Sequence, residues 1–197
     1  MRAVIQAVSS ASVRVNGGEP RAIGPGLMIL LGVRDTDSLD IVPKLADKCA
    51  GLRIFPDAEG KLNLSAKDLG YSALVVSQFT LYGDTKKGYR PSFIKAAKPP
   101  LSVDAYELFL AEMNKQGLKD VQHGEFGADM QVALVNEGPC TIIIDTDEWK
   151  KKECPPCRLF IFRALRRCIP IPSCSFPTQA MPWSLIRRQM RRPTIKF

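Results

Sequence analysis

Histidine is nearly missing from this chain: His123 is the only one in 197 residues. A Ser-His-Asp or Cys-His machine would have to use it. It stands before a glycine in a polar stretch, and no G-x-S-x-G nucleophile motif occurs, so it reads as a surface loop residue rather than a catalytic base. No G-x-G-x-x-G follows a strand-like run and no G-x-x-x-x-G-K-[ST] loop is present, which leaves nucleotide cofactors unsupported; no cofactor is expected. Nowhere do 18 apolar residues run uninterrupted, so no membrane span is expected. The opening residues lack a long apolar core with a small-residue cleavage site, and a reduced, cytoplasmic setting is the expectation. Residues 1–149 hold only two cysteines, Cys49 and Cys140, and no His/Cys cluster at metal-ligand spacing, so neither a disulfide framework nor a metal site is expected there.

What is present is unevenly placed. Apolar residues make up 45% and charged residues 24%, values of an ordinary globular chain. Residues 150–197 carry 12 Lys and Arg against the single acid Glu153, whereas residues 1–149 carry 16 against 19. The net charge of +8 is therefore a property of a basic terminal segment joined to a slightly acidic body. That segment also holds four of the six cysteines and seven of the fifteen prolines. The organisation expected is a domain over 1–149 and a basic, Cys/Pro-rich, poorly ordered extension over 150–197.

Within the body, Ala3–Val8 and Ala11–Val15 read as two strands separated by Ser9-Ser10. Leu27–Val33 (LMILLGV) is a continuous apolar run, as in a strand buried on both faces. Ile41, Leu45, Cys49 and Leu52 recur at helical spacing, with Pro43 in the first turn. Ala73–Leu81 reads as the next strand, and residues 82–100, rich in Gly, Lys and Pro, as a long loop of the functional kind. Val103–Gln116 carries a helical stripe of Tyr106, Phe109, Leu110 and Met113. Met130–Val135 and Thr141–Asp145 read as strands joined by Asn136–Cys140. The pattern predicts an α+β fold: a mostly antiparallel, barrel-like sheet with two main helices.

Two segments stand out. In Ser77-Gln78-Phe79-Thr80-Leu81 three polar side chains interrupt an apolar strand. A buried polar group costs roughly 1–3 kcal/mol unless paired. Either Ser77 and Thr80 bond to neighbouring backbone, or the strand end forms a pocket. In Asn136-Glu137-Gly138-Pro139-Cys140-Thr141, Gly-Pro could be a plain turn or a cis bond, which proline adopts far more readily than other residues. Cys140 has nothing cationic adjacent in sequence to activate it and reads as core.

Together, SQFTL and NEGPCT resemble the paired motifs of the D-aminoacyl-tRNA deacylase family, the D-Tyr-tRNA deacylase type, whose pattern is SQFTL near mid-chain and NDGPVT near the C-terminus. Further matches in register are Ser10–Val13, Leu31-Gly32-Val33, Arg53–Phe55 with Asp57–Lys61, Asn63-Leu64, Arg90–Phe93 and Phe126–Met130, spanning Met1 to about Asp145. The resemblance implies a homodimeric hydrolase. It would cleave the ester between a D-amino acid and the 3′-terminal adenosine of tRNA, spare L-aminoacyl-tRNA, and accept glycyl-tRNA. It implies a cis Gly138–Pro139 unit that enters the partner subunit's pocket, holds the substrate's α-amino group on main-chain carbonyls and collides with an L side chain.

Carried over residue by residue, Ser77, Gln78, Phe79 and Thr80 form the catalytic pocket, Gly138 and Pro139 bind the substrate, and Met130 packs beside them. Thr80 is a candidate nucleophile in the family, but a threonine hydroxyl needs a base and the sequence offers none. Backbone N–H groups near Phe79–Thr80 holding the oxyanion, with the ribose 2′-OH helping to activate water, is the mechanism expected. Lys86, Lys87 and Arg90 are either phosphate contacts for the tRNA acceptor end or a solvated loop.

The chain departs from the family at Ala7, in VIQAV, where an arginine that helps fix the Gly-Pro motif is usual; Glu137 and Cys140 are milder changes. A catalytically weak or inactive RNA-binding homologue is the alternative that Ala7 favours. The terminal segment has no counterpart in the family core. Its Cys154, Cys157, Cys168 and Cys174 could be a zinc set of poor spacing, and its arginines could add non-specific RNA affinity.

Overall fold

The computed structural model describes residues 1–149. The expectations for residues 150–197, the zinc set and the arginine cluster among them, lie outside the described residues.

The chain runs β1 (Arg2–Val15), β2 (Arg21–Ile23), β3 (Gly26–Gly32), α1 (Val42–Ala50), β4 (Phe55–Pro56), β5 (Leu62–Leu64), the one-turn α2 (Ala66–Leu69), β6 (Ser72–Ser77), α3 (Leu101–Asn114), β7 (Val121–His123) and β8 (Met130–Asp145). The main sheet has the order β2-β1-β3-β6-β7, and β8 pairs with β1. β4 and β5 form a separate two-stranded ribbon. The result is a nearly closed, barrel-like mixed sheet with two main helices, the α+β class expected. The sheet is less uniformly antiparallel than the sequence suggests, since β3–β6 and β6–β7 are parallel pairs. Each of these joins is a crossover through helical chain, as parallel neighbours require.

β3 explains the continuous apolar run. Leu27, Ile29 and Leu31 belong to the large core cluster shared with the helices, whereas Met28 belongs to a second cluster with Val8, Ala11, Val13, Leu74 and Val76. Both faces of the strand are dry, so no polar alternation is possible. α1 supplies Val42, Leu45, Ala46 and Cys49 to the first cluster, and α3 supplies Tyr106, Phe109, Leu110 and Met113. Burial pushes the Cys49 thiol up to about 12, so this cysteine is a packing residue and not a nucleophile. Gly26 permits the closest approach of β3 to β6: a Cβ there would lie 2.0 Å from the Ser72 carbonyl oxygen.

Two strand breaks expected from sequence are corrected. β1 is continuous through Ser9-Ser10, with irregular pairing around Ser9, because β8 lies along it on both sides of that point. β8 is likewise continuous rather than two strands. Residues 130–136 pair with the second half of β1, and residues 141–145 with the first half. The intervening Glu137–Cys140 bulge out opposite Ala7, since Gln6 faces Thr141 and Val8 faces Asn136.

Candidate active site

β6 stops at Ser77, earlier than the expected Leu81, and the reason is local. Gln78 still donates its backbone N–H to Leu31 O at 2.7 Å, but its φ and ψ of −142° and 83° turn the chain out of the sheet. Phe79–Tyr82 then form a 3-10 turn, closed by Leu81 N–H to Gln78 O at 3.3 Å and Gly83 N–H to Thr80 O at 2.9 Å. The N–H groups that open such a turn have no acceptor within it; here they belong to Phe79 and Thr80. Gly32 makes the tight fit possible, because a Cβ would stand 3.1 Å from Gln78 O and 3.2 Å from the Leu81 Cβ. The Gln78 side-chain amide donates to the Thr80 hydroxyl. The Phe79 ring packs edge-on against Phe93 at 5.2 Å.

A cavity of about 310 Å³ opens at this strand end, at the carboxyl ends of the parallel pair β3 and β6. That is where crevices form in parallel sheets, since the connecting segments diverge there. Ser77, Gln78 and Phe79 line it with Leu31, Val33, Val76 and Met130, and the wall is completed by Ser102 and Tyr106 of α3 and by Phe126. Of the two readings of SQFTL, a pocket at the strand end is the one the structure contains. Its lining includes no Asp, Glu, Lys, Arg, His or Cys among the described residues. Tyr106 is the only lining residue with a titratable group, and burial raises its phenol well above the ordinary value, so it stays protonated. Its hydroxyl is within hydrogen-bond reach of two acceptors, Val75 O at 3.1 Å and Gly124 O at 3.2 Å. It thereby ties β6 to the loop that follows β7. A Cβ at Gly124 would lie 2.4 Å from the Met130 sulfur, so a larger residue there displaces the methionine side chain from its place in the cavity wall.

The sequence candidates divide. Ser77, Gln78, Phe79 and Met130 meet in the cavity. Thr80 is exposed and is not among the residues lining the cavity, although its hydroxyl is tied to Gln78. Gly138 and Pro139 sit exposed in the β8 bulge. Lys86, Lys87 and Arg90 are exposed on the loop after the 3-10 turn. Lys86 borders a separate polar hollow with Arg2, Arg34 and Lys95. His123 is exposed at the end of β7 and does not line the cavity; its Nδ1 is 2.8 Å from Gly124 O.

One implied feature is corrected. Gly138–Pro139 is trans, and the cis peptide bond among the described residues is Pro99–Pro100. The excursion is made instead by Gly138, whose φ of +110° is open to glycine and strained for other residues. Opposite the bulge stands Ala7, 2% exposed, whose methyl group has no hydrogen bond with which to clamp the motif.

Sequence reasoning did not single out Ser102, Tyr106 or Phe126 as site residues. Tyr106 sits in an apolar helical stripe and reads as core. The signal available was its hydroxyl, since a phenol buried this deeply must find a partner.

The fold agrees with comparison to known proteins. The model of the D-Tyr-tRNA(Tyr) deacylase family matches residues 4–145. The chain belongs to this family. It is 52% identical over 146 residues to a D-aminoacyl-tRNA deacylase of Akkermansia muciniphila, covering 74% of this chain and 97% of that protein. It is 55% identical over 148 residues to one of Chloroflexus aurantiacus, covering 75% and 92%. Among solved structures, the c-Myc DNA Unwinding Element Binding Protein superposes with a TM-score of 0.69 at 38% identity, over 74% of this chain and 98% of the other. A probable eukaryotic D-amino acid tRNA deacylase gives 0.65 at 19% identity, over 73% and 97%, a likeness of fold.

Proposed function

We propose that this protein hydrolyses the ester bond of D-aminoacyl-tRNA, releasing free D-amino acid and tRNA, in the cavity at the end of β6. The observation that carries the reading is the uncharged pocket built on Ser77, Gln78 and Phe79 in a chain of this family. The Phe79 and Thr80 N–H groups, which have no acceptor within the 3-10 turn, hold the oxyanion that forms when water attacks the ester carbonyl. With no side-chain base in the cavity, the water's proton passes by way of the neighbouring ribose 2′-OH, and the 3′-oxygen leaves protonated. Neither a metal nor a cofactor is required by these steps. The apolar and aromatic walls suit the adenine of the terminal nucleotide, the one part that every aminoacyl-tRNA shares. Lys86, Lys87 and Arg90 serve the acceptor-end phosphates and set register without reading sequence.

The active form in this reading is a homodimer. Among the described residues β8 pairs with β1 along one side only, which leaves 16 residues of strand with an open edge. Val135 and Ile143, on either side of the bulge, are 58% and 65% exposed. Natural proteins rarely leave so long an apolar edge uncovered. A second copy seated there brings Glu137–Cys140 over its partner's pocket. Main-chain carbonyls around Gly138 and Pro139 then receive the substrate's α-amino group and leave no room for an L side chain. Residues 1–149 carry the reaction and residues 150–197 are dispensable to it.

The test is incubation of the full chain with D-tyrosyl-tRNA and L-tyrosyl-tRNA, following release of the amino acid. Hydrolysis of the D ester with the L ester intact is expected. A protein that binds both and cleaves neither would be the RNA-binding homologue that Ala7 favours. Deletion of residues 150–197 should leave the D-specific rate within about twofold.

A further inference from the structure

Among the described residues that line the cavity, one side-chain polar atom is buried without a hydrogen-bond partner. Ser102 lies in the first turn of α3 and is 4% exposed, and its Oγ is shut off from solvent without a hydrogen-bond partner. A helical serine usually returns its hydroxyl to a carbonyl one turn back. Here the bond to Lys98 O, at 3.4 Å, is made by the Ser102 backbone N–H instead. Burying a hydroxyl without a partner is unfavourable, and a ligand atom that supplies one restores the loss. Of the other polar side chains of the wall, the Tyr106 hydroxyl faces Val75 O and Gly124 O, the Gln78 amide donates to the Thr80 hydroxyl, and Ser77 is only half-buried.

We infer that Ser102 is a specificity-determining residue, its hydroxyl donating a hydrogen bond to a ring nitrogen of the substrate's terminal adenine. This rests on the reading of the cavity as the seat of the terminal nucleotide. Ser102 lines that cavity among Val33, Ala97, Tyr106 and Phe126. In the proposed complex the Ser102 side chain turns about χ1, so that the oxygen now shut off from solvent meets the occupant. A single hydroxyl in a largely apolar wall gains nothing from amino-acid side chains that change from one substrate to the next. It does gain from a heterocycle that is always the same, and a site so built rejects analogues lacking the matching atom.

The experiment uses the full chain and D-tyrosyl-tRNA whose terminal adenosine is natural or replaced by its 1-deaza, 3-deaza or 7-deaza form. Ser102→Ala should raise KM about 5- to 10-fold with kcat unchanged, the range of one neutral hydrogen bond. Ser102→Thr, which keeps the hydroxyl, should recover most of it. One deaza substitution should raise KM equally in the wild type and have no further effect in Ser102→Ala. The melting temperature of Ser102→Ala should hold or rise, since an orphan group is removed. An unchanged KM in Ser102→Ala overturns the inference, and so does a fall in melting temperature with KM intact, which marks a structural hydroxyl. If the wild type cleaves no D ester, the functional reading fails by itself. Titration with adenosine and the three deazaadenosines then decides the inference: loss of one discrimination in Ser102→Ala supports it, and equal binding by both proteins overturns it.

Discussion

The turn at 78–82 and the bulge at 137–140 come from the two motifs that most resemble the family, and they are finished to different degrees. The turn is complete within its own chain. Its backbone bonds are closed, Gly32 lets it pack against β3, and its residues line a cavity. The bulge has an exposed glycine and proline, faces a buried alanine methyl, and is flanked by exposed valine and isoleucine. One motif ends in a cavity wall and the other is an exposed surface. In the deacylase reading the contrast is the mechanism: catalytic atoms are held rigidly by the chain that owns them, and selection is delivered from outside.

This contrast can be broken most severely on the side of the turn. Gly32→Val places two methyl groups where a single Cβ is already 3.1 Å from Gln78 O. The turn must shift, and a misplacement of about 1 Å in a positioned site costs about 100-fold in rate. Single-turnover hydrolysis of D-tyrosyl-tRNA should show that loss, whereas thermal unfolding should shift only by the roughly 1–3 kcal/mol of an overpacked contact.

On the side of the bulge, Gly138→Ala and Pro139→Ala should spare the fold, because both residues are exposed. Alanine is strained at a φ of +110°. We expect the ratio of D to L hydrolysis to fall about tenfold with either change, measured on the two tyrosyl esters side by side. Unchanged selectivity would remove the bulge from the mechanism.

A smaller effect is expected from Tyr106→Phe, which leaves the acceptors Val75 O and Gly124 O without their shared donor. A net loss of about 1 kcal/mol corresponds to a melting temperature about 2–4 °C lower for a chain of this size. The smallest effect, none, is expected of His123→Ala. The pH profile of kcat/KM between about 6 and 8.5 should be superimposable on that of the wild type, because no wall residue changes ionisation there. The raised phenol of Tyr106 ionises only above this window, so its neutral form persists throughout. A break in the profile that vanishes with His123 would restore a general base.

The parts of the site that the sequence made legible are those carried by chain-local signals. The apolar run Leu27–Val33 announced a strand buried on both sides, and Tyr106, Phe109, Leu110 and Met113 announced a helix face. The polar interruption at Ser77-Gln78 marked the segment as unusual and left a pocket as one of two readings. What stayed hidden depends on contacts far apart in sequence. That β1 and β8 are each continuous follows from their mutual pairing over their whole length, which no local window contains. Ser102 reaches the cavity because α3 docks beside the end of β6, and the trans peptide at Gly138–Pro139 runs against what the motif implied.

The neutral lining of the cavity has a consequence for how such a catalyst can drift. A pocket that relies on an ionised partner is retuned whenever that partner's surroundings change. Here the walls are hydrocarbon, hydroxyl and amide, and the groups expected to handle the ester belong to the peptide framework itself. Side-chain replacement leaves peptide groups in place, so the handedness of the accepted substrate should outlast extensive change elsewhere in the sequence.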